Sequence, residues 1–498
     1  MSILSIEFFI MVAFAVVIYW IFPAKHRWII LLLASLLFIY LSNNYNIKAC
    51  IIMLSMVLMA YATSISWEKV FSSLKKKIIL LIALSFEAGL LVVLKQNIFF
   101  SSSSSLALIA PFGMSYFTLT IIGYILDTYW GVQEKESNPL KLLLFVGYFP
   151  LLTSGPIVKY KNTGEELLKC HKFCYKNIAF GCQRILWGIF KKLVIAERLS
   201  IFVNEVYGNP EKYVGLFVWI SVLLFVIQLY CDFSGCLDII YGVSDLFGIS
   251  LPENFNTPFV SRSLEEFWRR WHITLGGWLR EYIYYPIMKS SFMQKISETS
   301  SNHFGKKTAK KISLIVGLFF PWLLIGFWHG GTMNYVFGVG LYMWIIIVIS
   351  ELLSPIFKSI IIKMNIKQNC FSWHMFQSIR TVILFAIGNG FFPASSFLSG
   401  VALYKAGISV FNPNIIFDGS LIQLGLSSFD YKVLGLAILI ICIAGIIRIS
   451  TDMPIRNWIA NQNFLFRWGI WIGLFVFTLI FGKYGPGYDP AEFIYRGF

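Results

Sequence analysis

Apolar runs long enough to cross a membrane recur from one end of this 498-residue sequence to the other. About 20 apolar residues in a helix span the roughly 30 Å of hydrocarbon in a bilayer. Inside hydrocarbon the backbone must bond to itself, so spanning segments are helices unless they close into a barrel. Only 13% of the residues are charged, against roughly 25% in an ordinary soluble domain. The sequence therefore predicts an all-α polytopic membrane protein, with residues 1–498 forming a single domain.

The predicted spans cover most of the chain, and the charges between them indicate an orientation. The spans are 4–22, 28–41, 49–66, 78–94, 116–130, 178–195, 214–230, 312–328, 335–353, 382–392, 433–447 and 466–481. Lysine and arginine collect in the first and third loops, at 23–27 and 73–77, whereas the Ser101–Ser105 tract carries no charge. Cytoplasmic loops are enriched in basic residues, so the N-terminus is predicted to lie outside. We attribute the net charge of +16 to these cytoplasmic loops. The expected partner of the protein is therefore the bilayer, and binding to nucleic acid is not expected.

Residues 142–158 are apolar but are interrupted by Gly147, Pro150, Gly155 and Pro156, and a lysine-rich loop follows them. A full crossing would put that basic loop outside. Non-helical backbone occurs at membrane depth where protein or water surrounds it. We therefore interpret 142–158 as a re-entrant segment that lines a pocket, the alternative being an ordinary span kinked by proline.

A charged, tryptophan-rich segment at 263–286 is too polar to span. Ser263 followed by Glu266 is typical of the start of a helix. Trp268, Trp271 and His272, with two leucines further on, share one helical face. The segment is therefore predicted to be an amphipathic helix at the membrane interface. Residues 397–431 are rich in turn-forming residues and are predicted to be a loop.

A second histidine, His329, lies in the apolar segment 312–331, between Trp328 and Gly330. Ionisable groups inside a membrane are costly and mark candidate functional sites. A neutral histidine can take a proton from a hydroxyl that attacks an acyl carbon and then return it to the leaving group. Glycine allows a ligand to approach the backbone closely. The alternative is that His329 only packs and bonds to backbone carbonyls.

Two carboxylates, Asp232 and Asp238, lie in or beside a predicted span. In one role they bond to the histidines or to basic residues such as Arg269. In the other they only tie helices together by buried hydrogen bonds, and the sequence leaves both roles open. Cys170 and Cys174 have no second pair at metal-binding spacing, so no metal is expected. No phosphate-binding glycine loop and no serine nucleophile elbow is present.

Five stretches together resemble the membrane-bound O-acyltransferase family, in particular its bacterial cell-envelope branch of alginate O-acetylation and teichoic acid D-alanylation proteins. They are Pro-Phe-Gly-Met-Ser-Tyr-Phe to Trp-Gly at 111–131, 148–160, 228–238, Trp-Arg-Arg-Trp-His within 262–286, and Gly-Phe-Trp-His-Gly at 326–330. The ending at 492–498 is similar to the aromatic tail of this branch. The family's Phe-Phe-Arg-Ala reads Phe391-Phe-Pro-Ala394 here, which removes the arginine.

The resemblance implies a ring of about 11–13 transmembrane helices, with re-entrant and interfacial helices, around a central tunnel in a bacterial plasma membrane. It implies His329 as the catalytic residue and His272 as a second functional histidine. The substrate and tunnel-lining residues expected beside them are Trp268, Trp271, Trp328, Gly330, Asp232, Asp238, Tyr116 and Pro156.

The expected activity is acetyl transfer from cytoplasmic acetyl-CoA, with no permanently bound cofactor, towards hydroxyls of an extracytoplasmic polysaccharide. Transfer is direct or passes through an esterase-like acetyltransferase partner, beside a polysaccharide synthase. Two alternatives are D-alanyl transfer from a carrier protein to teichoic acid and a proton-coupled transporter. The paired broken helices of an inverted repeat, which would favour a transporter, are not evident in the sequence.

Overall fold

The computed structural model describes residues 1–99, 110–484 and 493–494. The predicted extracytoplasmic tract Ser101–Ser105 and most of the aromatic tail lie outside the described residues. In the described part the chain forms helices and one isolated antiparallel bridge, between Phe255 and Trp271.

The α-helices are numbered α1 to α20 in chain order. They are Ile6–Ile21, Arg27–Ser42, Ile47–Lys69, Ser73–Phe99, Met114–Tyr129, Pro139–Gly147, Glu165–Leu168, Tyr175–Phe190, Glu197–Gly208, Leu216–Leu246, Leu264–Arg270, Ile273–Leu279, Tyr285–Lys289, Ser291–His329, Tyr342–Lys363, Phe371–Asn389, Phe397–Ser409, Ser428–Thr451, Ile455–Ala460 and Phe464–Phe481. Wider π-helical turns occupy 160–164, 191–196, 280–284 and 335–341.

The predicted fold class is confirmed: the chain is an all-α polytopic membrane protein. Eight helices of the described part are long and apolar enough to cross a membrane, and α1 is a shorter apolar helix of 16 residues. Every predicted span falls on a helix. The loop predicted at 397–431 is wrong at its start, because Ser396 and Ser399 cap each other and begin helix α17.

The long helix α10 lies at the centre and packs against α8, α9, α16 and α17. Its contact with α8 depends on glycines seven residues apart in each helix. A Cβ atom on Gly188 would meet the backbone oxygen of Gly235, and one on Gly181 would meet that of Gly242. Small residues at such crossings let two membrane helices approach closely. The glycines therefore fix α8 against the helix that carries Asp232 and Asp238.

The segment 263–286 is not the continuous interfacial helix that the sequence predicts. Ser263 does cap its first turn, accepting a hydrogen bond from the Glu266 amide at 3.2 Å. Helix α11 then stops at Arg270, because the backbone of 270–273 bonds to the neighbouring strand-like stretch 254–256 instead of to itself. Trp271 and His272 are 2% exposed, so this part of the segment is buried in protein and does not lie on the surface.

The segment 142–158 has the broken, buried backbone predicted for a pocket-lining element. Helix α6 ends at Gly147 after nine residues, a 3-10 turn covers Phe149–Leu152, and irregular backbone with a cis Gly155–Pro156 peptide follows. The buried side chains of this stretch contact α2, α5 and α10. Helix α6 is too short to cross a bilayer at 1.5 Å per residue.

Candidate active site

His272 lies at the junction of α11 and α12, where its backbone is held in an unusual conformation. Its φ of +47° is left-handed, a region that few non-glycine residues adopt, although histidine is among the more tolerant. Backbone hydrogen bonds on both sides hold the junction, from Asn256 N to the Arg270 oxygen at 2.9 Å and from Ile273 N to the Asn254 oxygen at 3.1 Å. The main chain therefore decides where the imidazole points.

The indole of Trp328 connects the two candidate histidines. Its ring centroid lies 5.9 Å from the ring of His272 and 4.7 Å from the ring of His329. Tyr116 packs edge-on against the same indole at 5.2 Å, and the indole nitrogen donates a hydrogen bond to the Ser115 oxygen at 3.3 Å. Three segments, around residues 116, 272 and 328, that lie more than 50 positions apart in the sequence thus meet around one aromatic ring.

The irregular loop that contains Pro156 closes a second side of this site. The Ile157 amide donates a hydrogen bond to the Thr274 hydroxyl at 3.1 Å, two residues beyond His272. Gly155 lies against the ring of Tyr116, where a side chain would be crowded. The structure therefore brings the predicted residues Tyr116 and Pro156 to the His272 segment.

The surroundings of both histidines are apolar and buried. Phe233 of α10 lies 4.9 Å from the His272 ring, and Phe392, which precedes Pro393, lies 6.4 Å from the His329 ring. His272 and His329 are 2% and 3% exposed. Burial lowers the pKa of His272 to about 3 from its usual 6.5, so this imidazole is neutral at physiological pH.

Helix α14 positions His329 as its last residue. The C-terminal end of a helix carries a partial negative charge, which stabilises a positive charge that forms beside it. Gly330 follows in extended backbone, and a side chain there would collide with the ring of Tyr335. The glycine is therefore required by packing against Tyr335, whether or not a ligand also approaches it.

Trp268 and Trp271 lie beside the site in an aromatic cluster. Trp271 stacks on Phe267 at 5.5 Å and contacts Phe385 at 5.1 Å. Trp268 packs edge-on against Trp322 at 5.0 Å. These contacts support the His272 segment from behind, and a direct contact of either indole with substrate stays a prediction.

Asp232 and Asp238 bond to basic side chains that the sequence analysis missed. Asp232 accepts hydrogen bonds from Lys192 at 2.6 Å and from the Ile494 amide at 2.8 Å. Asp238 accepts from Arg184 at 2.9 Å and pairs with Lys191 at 2.5 Å. These contacts favour the helix-tying role, although a role in the reaction stays a prediction. Arg269, the partner suggested by the sequence, pairs with Glu265 instead.

The buried lysines had a signal in the sequence. Lys191 and Lys192 fall within the predicted span 178–195, where ionisable residues are rare and carry partners or function. Asn254 is fully buried but had no such signal in the sequence, because its role depends on the fold. Its side-chain oxygen accepts hydrogen bonds from the backbone N–H and the hydroxyl of Thr274, at 2.9 and 2.8 Å.

A cavity of about 600 Å³ opens next to the site. Thr274 and Ile157 form part of its wall, and Lys159, Lys161 and Lys169 lie at its rim. Lys159 pairs with Glu281, and Lys169 pairs with Glu166. With Glu165, the lining has three lysines and three glutamates, so the cavity joins a charged surface without net charge to the segment that carries His272.

The fold and the site define a polytopic membrane protein with two buried histidines around a shared indole. Residues 132–301 match the model of the membrane-bound O-acyltransferase family. The match confirms the predicted resemblance to that family over these residues. The eight apolar helices agree with the predicted multi-pass membrane location. The matched residues include His272 and end before His329.

The similar proteins come from bacteria, and their names describe acyl transfer to alginate, peptidoglycan or teichoic acid. The chain is 32% identical over 241 residues to the "Probable alginate O-acetylase" of Pseudomonas aeruginosa, covering 48% of the chain and 43% of that protein. It is 30% identical over 346 residues to the peptidoglycan O-acetyltransferase of Helicobacter pylori, covering 61% of each. It is 29% identical over 246 residues to the teichoic acid D-alanyltransferase of Bacillus subtilis, covering 47% of the chain and 57% of that protein. The matches thus span about half the length of these relatives.

Proposed function

We propose that this chain is an O-acyltransferase that moves an acetyl group from cytoplasmic acetyl-CoA towards hydroxyls of an extracytoplasmic polysaccharide. The observation that carries the proposal is the meeting of His272 and His329 at the buried indole of Trp328. The named activities of the relatives, two of which transfer acetyl groups, support it.

His329 is the general base in the proposed reaction. Its imidazole takes the proton of the acceptor hydroxyl while the oxygen attacks the thioester carbon. The carbon–sulfur bond then breaks, and the thiolate that leaves takes the proton back from the imidazolium. The end of α14 stabilises this imidazolium while it exists. The buried position keeps water from taking the place of the acceptor.

His272 has a different role because it stays neutral. A neutral imidazole keeps one N–H group, which can donate a hydrogen bond to the thioester carbonyl as negative charge develops on its oxygen. The left-handed backbone at His272 holds this N–H group in place before the thioester arrives. We therefore assign to His272 the role of binding the acyl thioester and polarising its carbonyl group.

The cavity beside Thr274 is the proposed entrance for the donor. Its wall reaches Thr274, two residues beyond His272, and Lys161, which forms no ion pair among the described residues, is the proposed contact for a phosphate of the thioester. The runner-up donor is a D-alanyl group on a carrier protein, which the similarity to the teichoic acid D-alanyltransferase favours. An extracytoplasmic acetyltransferase and a polysaccharide synthase are the proposed partners.

The test compares variants of His329 in membranes that contain the partner proteins. His329→Ala and His329→Gln are expected to lower acetyl transfer from labelled acetyl-CoA by about 10²–10⁴-fold, the usual contribution of a general base. His303→Ala is the matched control, because His303 is exposed on the same helix α14, where a ring nitrogen bonds to the Thr299 carbonyl.

The outcomes separate the parts of the proposal. Normal transfer by a well-folded His329→Ala protein contradicts the general-base role. If the wild-type protein does not use acetyl-CoA but does use a D-alanyl carrier protein, the acetyl donor is wrong and the D-alanyl donor takes its place in the proposal. Size-exclusion profiles in detergent show whether each variant has folded.

A further inference from the structure

A second cavity, of about 680 Å³, lies away from the histidines, at the bend of helix α14. The helix is interrupted at Gly305, whose φ of +79° is a conformation that suits glycine. One arm, 291–304, folds back beside the other, 306–329, and the space between them forms the cavity. We call this space the bend cavity.

The bend cavity carries more positive charge than its own carboxylates balance. Lys306, Lys307, Lys310 and Lys311 lie on the wall formed by the second arm. Glu351, the acidic residue of the wall, pairs with Lys311 at 3.1 Å. Among the residues that the structure describes, the other three lysines form no ion pair, so a net charge of +3 faces the cavity.

A buried hydroxyl inside the bend cavity provides an independent sign of a ligand. Ser313 lines the cavity, is 6% exposed, and its oxygen has no hydrogen-bond partner in the described part of the chain. A buried polar group without a partner is costly. Ser297 and Ser301 of the first arm present further hydroxyls to the same space. Lysines with hydroxyl donors suit a phosphate group.

The cavity lies where helix α14 changes from polar to apolar. Residues 305–311 are mostly lysine, whereas the stretch that starts at Ile312 is the apolar part of a candidate span. Met288 and Leu314 give the wall an apolar part. Phe292 and Phe304 of the first arm are 53% and 66% exposed, as expected for aromatic side chains that enter the membrane interface.

We propose that the bend cavity binds the phosphate headgroup of an anionic phospholipid such as phosphatidylglycerol. Basic pockets at the cytoplasmic ends of membrane helices are suited to such headgroups. The position at the interface favours a lipid over a free phosphate compound, because the acyl chains can remain in the bilayer beside Met288 and Leu314. This site is separate from the proposed acyl transfer and stands or falls independently of it.

The experiment measures the binding of fluorescent phosphatidylglycerol to the full-length protein in phosphatidylcholine nanodiscs. The variant Lys306→Gln/Lys307→Gln/Lys310→Gln removes three charges from the bend cavity. The matched control, Lys75→Gln/Lys76→Gln/Lys77→Gln, removes three charges from the start of α4, outside the bend cavity.

A lysine near an anionic surface contributes about fivefold to binding. The bend-cavity variant is therefore expected to bind phosphatidylglycerol on the order of 10²-fold more weakly, whereas the control loses only the general attraction to charged lipid. Ser313→Leu keeps the charge but fills the cavity, and it is also expected to weaken binding.

Three results would overturn the proposal. The first is equal weakening in the bend-cavity variant and the control, which would show unspecific attraction. The second is unchanged binding in both the lysine variant and the Ser313→Leu protein. The third is displacement of the lipid by inorganic phosphate or coenzyme A, which would assign the site to a soluble phosphate compound.

Discussion

The buried lysine Lys192 offers a test of what the acidic residues of α10 do. Its ammonium group lies 2.6 Å from an oxygen of Asp232 and 2.6 Å from an oxygen of Glu197. All three side chains are 2–3% exposed, so water screens the charges little. Lys192→Met leaves two carboxylates buried and close together without a cation.

Breaking a buried ion pair by removing one partner costs about 3–5 kcal/mol. Lys192→Met is therefore expected to be expressed poorly or to lose its native state at clearly lower temperature. Lys191→Met is the matched control, because the neighbouring lysine is equally buried but its partner Asp238 keeps Arg184 at 2.9 Å. The control is expected to be the more stable of the two.

The assay is the fraction of detergent-purified protein that remains monodisperse after heating through a series of temperatures. The variant Lys192→Met/Asp232→Asn/Glu197→Gln removes all three charges and is expected to recover stability, because a neutral buried group needs no counter-charge. If Asp232 only ties helices together, this variant also keeps acetyl transfer. A Lys192→Met protein as heat-resistant as the wild type would refute the reasoning.

Two further predictions concern acid stability and topology. The unfolded chain takes up a proton at His272 near pH 6.5, whereas the folded chain does so only near pH 3, so the free energy of unfolding falls as the pH drops through this window, by up to about 5 kcal/mol. Heat-stability series from pH 7.5 to 4.5 are expected to be flatter for His272→Gln, and identical slopes would contradict the buried neutral histidine. Single cysteines at Lys76 and Lys306 are expected to be protected from membrane-impermeant thiol reagents in intact cells, while one at Ser103, outside the described residues, reacts. Labelling of Lys306→Cys in sealed cells would overturn the cytoplasmic donor entrance.

The helices and the two histidines were accessible from the sequence, because apolar length and intramembrane ionisable groups are local signals. The break in the segment 263–286 was not accessible from the sequence, which predicts one continuous helix there. Its one-face periodicity is real, yet Trp271 and His272 leave the helix because the backbone of 254–256 offers hydrogen bonds that only the folded chain brings near. Tertiary contacts of this kind override local propensity.

The geometry of the site was only partly predictable. Tyr116, Pro156, Trp328 and both histidines were named from their local motifs, and the structure brings them together. That Trp328 would be the ring between the histidines depends on how α14 packs against α5, which no local pattern encodes. The roles assigned to these residues stay predictions until the variants are measured.

The contact between Trp328 and Ser115 joins residues 213 positions apart. The stretch that matches the family, 132–301, contains His272 but ends before Trp328 and His329 and begins after Tyr116. A fragment cut at those limits would expose the pocket of His272 and lose the indole that covers it. The region that matches the family model thus contains only part of the site. During synthesis, the site can close only after α14 has followed the preceding helices into the bilayer.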